Sequence, residues 1–103
     1  EEMRIYHKFH AKPTQYKGIR YHSKREAQYA AQLDLRVKGG EVLFYLRQVP
    51  FQLPTSIYRL DFMEFWADGS VHLVEVKGME TPLGKLKREQ VQALYPVEIE
   101  VFK

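Results

Sequence analysis

The 103-residue sequence contains no cysteine and no apolar run that approaches the length of a membrane span. Without cysteine, a disulfide scaffold and thiolate metal sites are both excluded. A membrane-spanning helix needs about 20 consecutive apolar residues, and no secretory signal pattern is present. We therefore expect a soluble, intracellular protein that has no contact with a membrane.

The chain is too short for a large core, and its charge balance is only mildly basic. One domain spanning residues 1–103 accounts for the length, and a hydrophobic fraction of 45% is ample for a globular fold. The net charge is +3, yet residues 1–25 hold seven Lys or Arg against two Glu. This excess favours a polyanionic partner, and a solvated polar arm explains it equally well.

The first part of the chain predicts an arm followed by a helix. Residues 1–22 contain Pro13 and Gly18 and show no clean period, which favours an extended or hairpin-like arm. The stretch Ser23-Lys24-Arg25-Glu26 has the Ser-x-x-Glu form of a capping box, and Gly39-Gly40 closes the helix that it opens. The predicted inward stripe consists of Glu26, Ala30, Leu33 and Val37.

The rest of the chain predicts a strand bent at Pro50, a hairpin, a second helix stopped by Pro96 and a closing strand. These elements give a mixed α/β (α+β) fold: arm, helix, three-stranded antiparallel meander, helix, strand. Their predicted bounds are Val42 to Leu53, Tyr58 to Ala67, Val71 to Lys77, Leu83 to Leu94 and Val97 to Val101.

Two acids and a lysine stand in the predicted hairpin, where burial disfavours charge. Asp61 lies between two apolar residues of one strand, and Glu75-Val76-Lys77 ends the next strand. Charged groups in a low-dielectric sheet are costly unless they pair or bind a cation. The setting of these residues therefore indicates a site.

The turn decides whether the acids meet. A two-residue turn at Asp68-Gly69 places Asp61 opposite Val76, whereas a three-residue loop with a left-handed Gly69 places Asp61 opposite Glu75. We predict the three-residue loop, Ala67-Asp68-Gly69. Because side chains alternate along a strand, we then expect Asp61, Glu75 and Lys77 on one face.

This arrangement suggests a metal-dependent phosphodiester hydrolase. Asp61, Glu75 and the carbonyl of Val76 are hard oxygen ligands that suit Mg²⁺ or Mn²⁺, and Lys77 is placed to stabilise transition-state charge. Glu26 is placed either to join the metal site or to complete the capping box. A purely structural ion pair with Lys77, Arg59 or Arg47 is the alternative for the strand acids.

The other ionisable residues of interest have weaker claims. We expect Glu64 to be an edge or partner-facing acid and His72 to be a packed or edge histidine. His7, His10 and His22 lack the spacing of a zinc site. The second helix carries a basic stripe of Lys85, Lys87 and Arg88 on its predicted outer face, which suits either solvent or phosphate.

The order of these residues resembles the PD-(D/E)XK nuclease superfamily, with Leu60 standing where its motif has proline. A closer resemblance, to a small phage-encoded family of endonucleases, covers nearly the whole chain. Its matching segments are YKGIRYHSKREA from Tyr16, QVPFQL from Gln48, YRLDF from Tyr58, EVKG from Glu75 and KLKR from Lys85.

The resemblance implies a restriction-endonuclease-like core and assigns roles to individual residues. Asp61, Glu75 and Lys77 match the metal and catalytic positions, and Glu26 matches the acid of the first helix. The layout is also similar to archaeal-type Holliday junction resolvases, which are small homodimers. Lys87 matches a recurrent lysine of the second helix, which the resemblance implies to bind DNA. The full set of predicted DNA contacts is Lys24, Arg25, Gln48, Lys85, Lys87 and Arg88.

We therefore expect a Mg²⁺- or Mn²⁺-dependent endodeoxyribonuclease that cuts branched DNA, foremost a Holliday junction resolvase. Two opposed cuts need two sites, so one small domain implies a homodimer. The expected location is the cytoplasm, that of the host cell if a phage encodes the chain. The alternatives are a repair or nicking nuclease on duplex or mismatched DNA, and a non-catalytic DNA-binding module.

Overall fold

The computed structural model describes residues 14–103, so the part of the predicted arm before Thr14 lies outside the described residues. Six strands and two helices form a mixed α+β fold in the predicted order. The elements are β1 (Thr14–Tyr16), β2 (Ile19–Tyr21), α1 (Lys24–Lys38), β3 (Val42–Gln52), β4 (Ile57–Trp66), β5 (Val71–Val76), α2 (Pro82–Leu94) and β6 (Ile99–Phe102).

The described part of the arm is a hairpin of β1 and β2. Both residues of its turn have positive φ, 53° at Lys17 and 75° at Gly18, as a two-residue hairpin turn of the mirror-image type requires. Tyr21 ends β2 and is buried against α1. The hairpin therefore delivers the chain directly to the N-terminus of α1.

Both predicted helices form, and each begins at a side-chain cap. The Ser23 hydroxyl accepts a hydrogen bond from the Glu26 amide at 3.1 Å, and the Thr81 hydroxyl accepts one from the Gly84 amide at 3.1 Å. These bonds satisfy backbone donors that a helix leaves free at its start. They also fix where the first turns of α1 and α2 lie relative to the sheet.

The central sheet has the order β3-β4-β5-β6, with an antiparallel meander and a parallel β6 beside β5. Neighbouring residues of β5 point to opposite faces. Val74 packs with Ala30 and Leu33 of α1 in what we call the α1-side core. Leu73 packs with Val91 of α2 in the α2-side core, so a helix covers each face of the sheet.

The predicted three-residue hairpin loop is confirmed. The Trp66 amide donates to the Ser70 carbonyl at 2.9 Å, and Gly69 has a φ of 91°. The β4 to β5 pairing runs to Phe62 opposite Val74, and this register puts Asp61 in the row of Glu75.

At one pair of opposed residues in β3 and β4, the side chains change the face of the sheet to which they point. We call this pair the row where the faces exchange. Along β3, Tyr45 packs against the α1-side core, whereas Val49, which alternation would place on the same face, packs against the α2-side core. Along β4, Leu60 and Phe62 divide in the same way. The irregularity of β3 is therefore at Gln48, shortly before Pro50. We had predicted the bend at Pro50 itself.

Gln48 has a φ of 52° and stands between the pairs Arg47 with Phe62 and Val49 with Leu60. It is therefore opposite Asp61, in the row where the faces exchange. In the described residues 14–103, no helix has the length and apolarity to cross a membrane.

The Gly69 conformation gives a direct test of the hairpin loop. We expect Gly69→Ala to lower the free energy of unfolding by about 1 kcal/mol, because a Cβ disfavours a positive φ. Gly39→Ala is the matched control, since Gly39 ends α1 with an ordinary φ of −80°. Urea denaturation measures both, and equal stability of the two variants would contradict the loop geometry.

Candidate active site

A cavity of about 640 Å³ opens where β4 diverges from β5. It brings together residues of three elements that the sequence had singled out: Glu26 of α1, Asp61 of β4, and Val76 and Lys77 at the end of β5. Thr81, the cap of α2, also lines it. Four of the five predicted catalytic and metal-binding residues therefore share this cavity, and Glu75 is not among its lining residues.

Glu26 lines the cavity and also contributes to the start of α1. Its Oε1 accepts a hydrogen bond from the His22 amide at 3.2 Å, which supports the start of α1. Its Oε2 accepts one from the side chain of Gln48 at 3.1 Å and lies 3.8 Å from the Arg47 guanidinium. The carboxylate is only 3% exposed.

Asp61 accepts hydrogen bonds from both strands that flank β4. Its Oδ2 accepts a hydrogen bond from the Val76 amide at 2.9 Å, in the gap where regular β4 to β5 pairing has ended. Its Oδ1 accepts one from Gln48 at 3.2 Å. A carboxylate with two donors keeps further lone pairs for a cation.

The two carboxylates disfavour each other's charge. Burial, followed by the charge of Asp61, raises the pKa of Glu26 to about 7. Burial raises the pKa of Asp61 too, against the lowering effects of the Val76 amide, Gln48 and Lys77. The cavity thus carries an acid pair whose negative charge is incompletely balanced by the chain itself.

Glu75 lies in a separate buried network. It accepts hydrogen bonds from the Tyr58 hydroxyl and from Arg88 at 3.3 Å, both outside the cavity. The register prediction is confirmed, but the two strand acids have different partners because the faces exchange at Asp61. Within residues 14–103, no group of three or more His, Asp or Glu side chains is arranged to hold a metal ion.

Lys77 connects the two acid sites. Its ammonium lies 3.7 Å from Glu75 Oε2, while its charge also lowers the pKa of Asp61. A Cβ built on Gly84 would lie 3.4 Å from the Lys77 nitrogen, so the amine sits against the first turn of α2. Lys77 is therefore fixed at the cavity and not free in solvent.

The predicted outer face of α2 needs one correction. Arg88 is only 8% exposed, because its guanidinium pairs with Glu75 and Glu80, and it is not on an open basic stripe. Lys85 is exposed and Lys87 is half-buried. The exposed basic stripe on this helix is thus smaller than predicted.

The other predicted DNA contacts lie in different surroundings. Lys24 and Arg25 are exposed at the start of α1. Arg25 lines the cavity and donates to the carbonyl of Lys103. Gln48 is engaged by the Glu26 and Asp61 carboxylates.

The prediction that Glu64 faces an edge or a partner is wrong. It is 1% exposed and accepts hydrogen bonds from Tyr29 and from Trp66, the latter at 3.0 Å. These donors stabilise its burial. His72 is a packed histidine, the first of the two predicted alternatives: it lies on the inner strand β5 with its ring 4.8 Å from that of Trp66, and its Nδ1 lies 2.9 Å from Glu100. His22 lines the cavity, and His7 and His10 lie outside the described residues.

The sequence predicted the acidic residues of the site but not the residues that form hydrogen bonds with them. Tyr58 and Arg88 hold Glu75, although both were visible in the motif segments. Gln48 joins Glu26 to Asp61 from a left-handed backbone conformation, which a glutamine in the sequence does not indicate. No period or turn signal marks a positive φ inside a strand.

The raised pKa of Glu26 predicts a specific pH dependence in metal-free buffer. Between the ordinary value of 4.5 and about 7, the folded state holds a proton that the unfolded chain has released. Stability therefore falls as pH rises through this window. We expect the free energy of unfolding of the original protein to fall by about 3 kcal/mol across this window, and we expect Glu26→Gln to remove this fall.

Urea denaturation near pH 5 and near pH 8 measures this contribution. The matched control is Glu89→Gln, at an exposed position of α2, which should keep the slope of the original protein. Equal pH dependence in the Glu26→Gln variant and the original protein would contradict the buried acid pair.

The comparisons with known proteins give a family. The family model described as "Protein of unknown function (DUF1064)" matches residues 6–101. No curated protein and no solved structure matches the chain. Because the family model spans nearly the whole sequence, the chain belongs to the DUF1064 family.

Proposed function

We propose that this protein is a metal-dependent endodeoxyribonuclease of the PD-(D/E)XK type that acts on branched DNA. The observation that carries the proposal is the pair of carboxylates, Glu26 and Asp61, meeting at an open cavity beside Lys77. The chain does not fully balance their charge, as the raised pKa of Glu26 indicates. A divalent cation would supply the missing positive charge.

The donors present fit Mg²⁺ or Mn²⁺. Magnesium sites in phosphate-processing proteins commonly use one or two carboxylates, with substrate phosphate oxygens and water completing the shell. Asp61 and Glu26 would hold the ion, and the sequence analysis adds Glu75 and the Val76 carbonyl as predicted ligands. When bound, such an ion polarises the phosphoryl oxygen and lowers the pKa of a coordinated water.

Lys77 would stabilise the negative charge that develops on the phosphorus oxygens. Its ammonium is compact and is held by Glu75 at 3.7 Å, so little reorganisation is needed when charge develops. Glu75 in turn keeps its position through Tyr58 and Arg88. In the described arrangement, Glu75 therefore acts first on the orientation of Lys77.

The rim of the cavity suits a sugar-phosphate backbone. Arg25 and Lys77 line it, and Lys24 and Lys85 are exposed on the first turns of the two helices. The first turn of α2 contains no acidic residue, so nothing there opposes an approaching phosphate. Contacts of this kind position DNA without reading its sequence.

Branched DNA and a homodimer follow from the resemblance to junction resolvases and from the size of the chain. One cavity of this kind in one small domain serves one strand cut, and paired cuts need a second copy. A repair or nicking nuclease on duplex or mismatched DNA would use the same residues. A non-catalytic DNA-binding module would bind DNA with its acids merely paired.

Cleavage assays on four-way, flap, mismatched and linear DNA, with and without Mg²⁺, separate these functions. We expect metal-dependent, symmetric cutting of the four-way junction and poor cutting of linear duplex. Asp61→Asn should abolish cleavage, with a loss of at least about 100-fold, because a metal-holding charge is removed. DNA binding measured by gel shift should remain.

Asp68→Asn is the control, since Asp68 is an exposed loop residue whose bonds to Ser70 an asparagine can keep. It should cut at the original rate. Equal cutting of junction and duplex would favour the repair-type nuclease. Binding without any Mg²⁺- or Mn²⁺-dependent cutting would refute the enzyme and favour the module.

The exposed lysine at the start of α2 gives a separate test of the DNA path. If Lys85 contacts a phosphate, Lys85→Ala should reduce the slope of log affinity against log salt by about 1. Lys38→Ala, at the other end of α1 from the cavity, should leave the slope unchanged. Equal slopes for both variants would place the DNA elsewhere.

A further inference from the structure

Gln48 combines an unfavourable backbone conformation with a demanding side-chain role. Its φ of 52° lies in the left-handed region, which a residue with a Cβ rarely adopts inside a strand. Such conformations persist where the surroundings hold them, and they occur often at functional sites. We therefore expect the Gln48 side chain to make contacts that offset the cost of this conformation.

The side-chain amide supplies that reason. Its nitrogen donates to Glu26 Oε2 at 3.1 Å and to Asp61 Oδ1 at 3.2 Å. Ionised carboxylates only accept hydrogen bonds, so the nitrogen of the amide faces the ionised pair. Both amide protons are thus used, one on each acid.

The backbone conformation and the two bonds depend on each other. Gln48 stands opposite Asp61 in the row where the faces of the sheet exchange. Regular alternation would project neighbouring rows to opposite faces of the sheet. The exchange lets one side chain reach both the strand acid and the helix acid.

Within residues 14–103, Gln48 is the side chain whose hydrogen bonds join Glu26 to Asp61. The remaining donors are separate: the His22 amide and Arg47 serve Glu26, and the Val76 amide serves Asp61. Without a donor between them, the repulsion of the two like charges would be less well compensated.

We propose that Gln48 is the positioning residue of this site, and that it holds the Glu26 and Asp61 carboxylates together so that one divalent cation contacts both. This inference rests on the proposed function for the identity of the cation. It assigns Gln48 to the acid pair and not to the DNA contacts that the sequence analysis predicted. Hydrogen-bonding partners of metal-holding carboxylates typically change metal affinity by about 10- to 100-fold.

Two substitutions separate the amide from the backbone. Gln48→Gly keeps the left-handed conformation without cost and removes the amide. Gln48→Met keeps the side-chain length and removes the donor. Gln28→Met is the control, because Gln28 is an exposed glutamine of α1. Calorimetric titration with Mn²⁺ and thermal unfolding are measured for each full-length variant.

Both Gln48 variants should bind Mn²⁺ about 10- to 100-fold more weakly, while Gln28→Met keeps the original affinity. The thermal midpoint of Gln48→Gly should lie above that of Gln48→Met, because both variants lose the two hydrogen bonds and only glycine relieves the backbone strain. A merely structural glutamine would lose affinity only as stability falls. Unchanged or tighter Mn²⁺ binding by either Gln48 variant would overturn the proposal.

A second measurement separates this inference from the proposed function. In ¹H–¹⁵N spectra of the metal-free protein, the Gln48 side-chain amide protons should lie apart from those of Gln28 and should shift in the Asp61→Ala variant. If the original protein bound no Mn²⁺ and these shifts were seen, the nuclease would be refuted and the positioning role retained. Gln48 amide signals like those of Gln28 would overturn the positioning role.

Discussion

The structure of this site depends on two carboxylates that share one amide group, the buried Glu26 of the first helix and the half-buried Asp61 of the second meander strand. Two negative charges in a low-dielectric region repel each other, and burial makes both harder to ionise. The chain offsets this with backbone amides, the Gln48 side chain and Arg47. The remaining imbalance is what makes a cation the natural complement of the site.

The fold serves this arrangement by bringing two helix starts to one end of the sheet. Ser23 fixes the first turn of α1, which carries Glu26, and Thr81 fixes the first turn of α2, against which Lys77 lies. The positive ends of both helix dipoles therefore point toward the region of the acids. The Glu26 carboxylate both accepts the His22 amide at the start of α1 and takes part in the proposed site.

Much of the fold followed from local signals in the sequence. The capping pattern at Ser23 and the glycines after Lys38 predicted α1, Pro96 predicted the end of α2, and the apolar alternation around the Asp68-Gly69 loop predicted the hairpin and its register. These signals work because they depend on neighbours in the chain. The exchange of faces at Gln48 and Asp61 was not predictable in this way, because it depends on packing between β3, β4 and both helices. For that reason the sequence identified the acids but paired Asp61 with Glu75, whereas the structure pairs it with Glu26.

The central claim is that the acid pair holds a divalent cation. A crystal of the protein grown with Mn²⁺ and measured for anomalous scattering would test it most directly. The account predicts one strong anomalous peak within coordination distance of both Glu26 and Asp61. A cavity without a peak at saturating Mn²⁺, or a peak bound only by residues outside this pair, would contradict it.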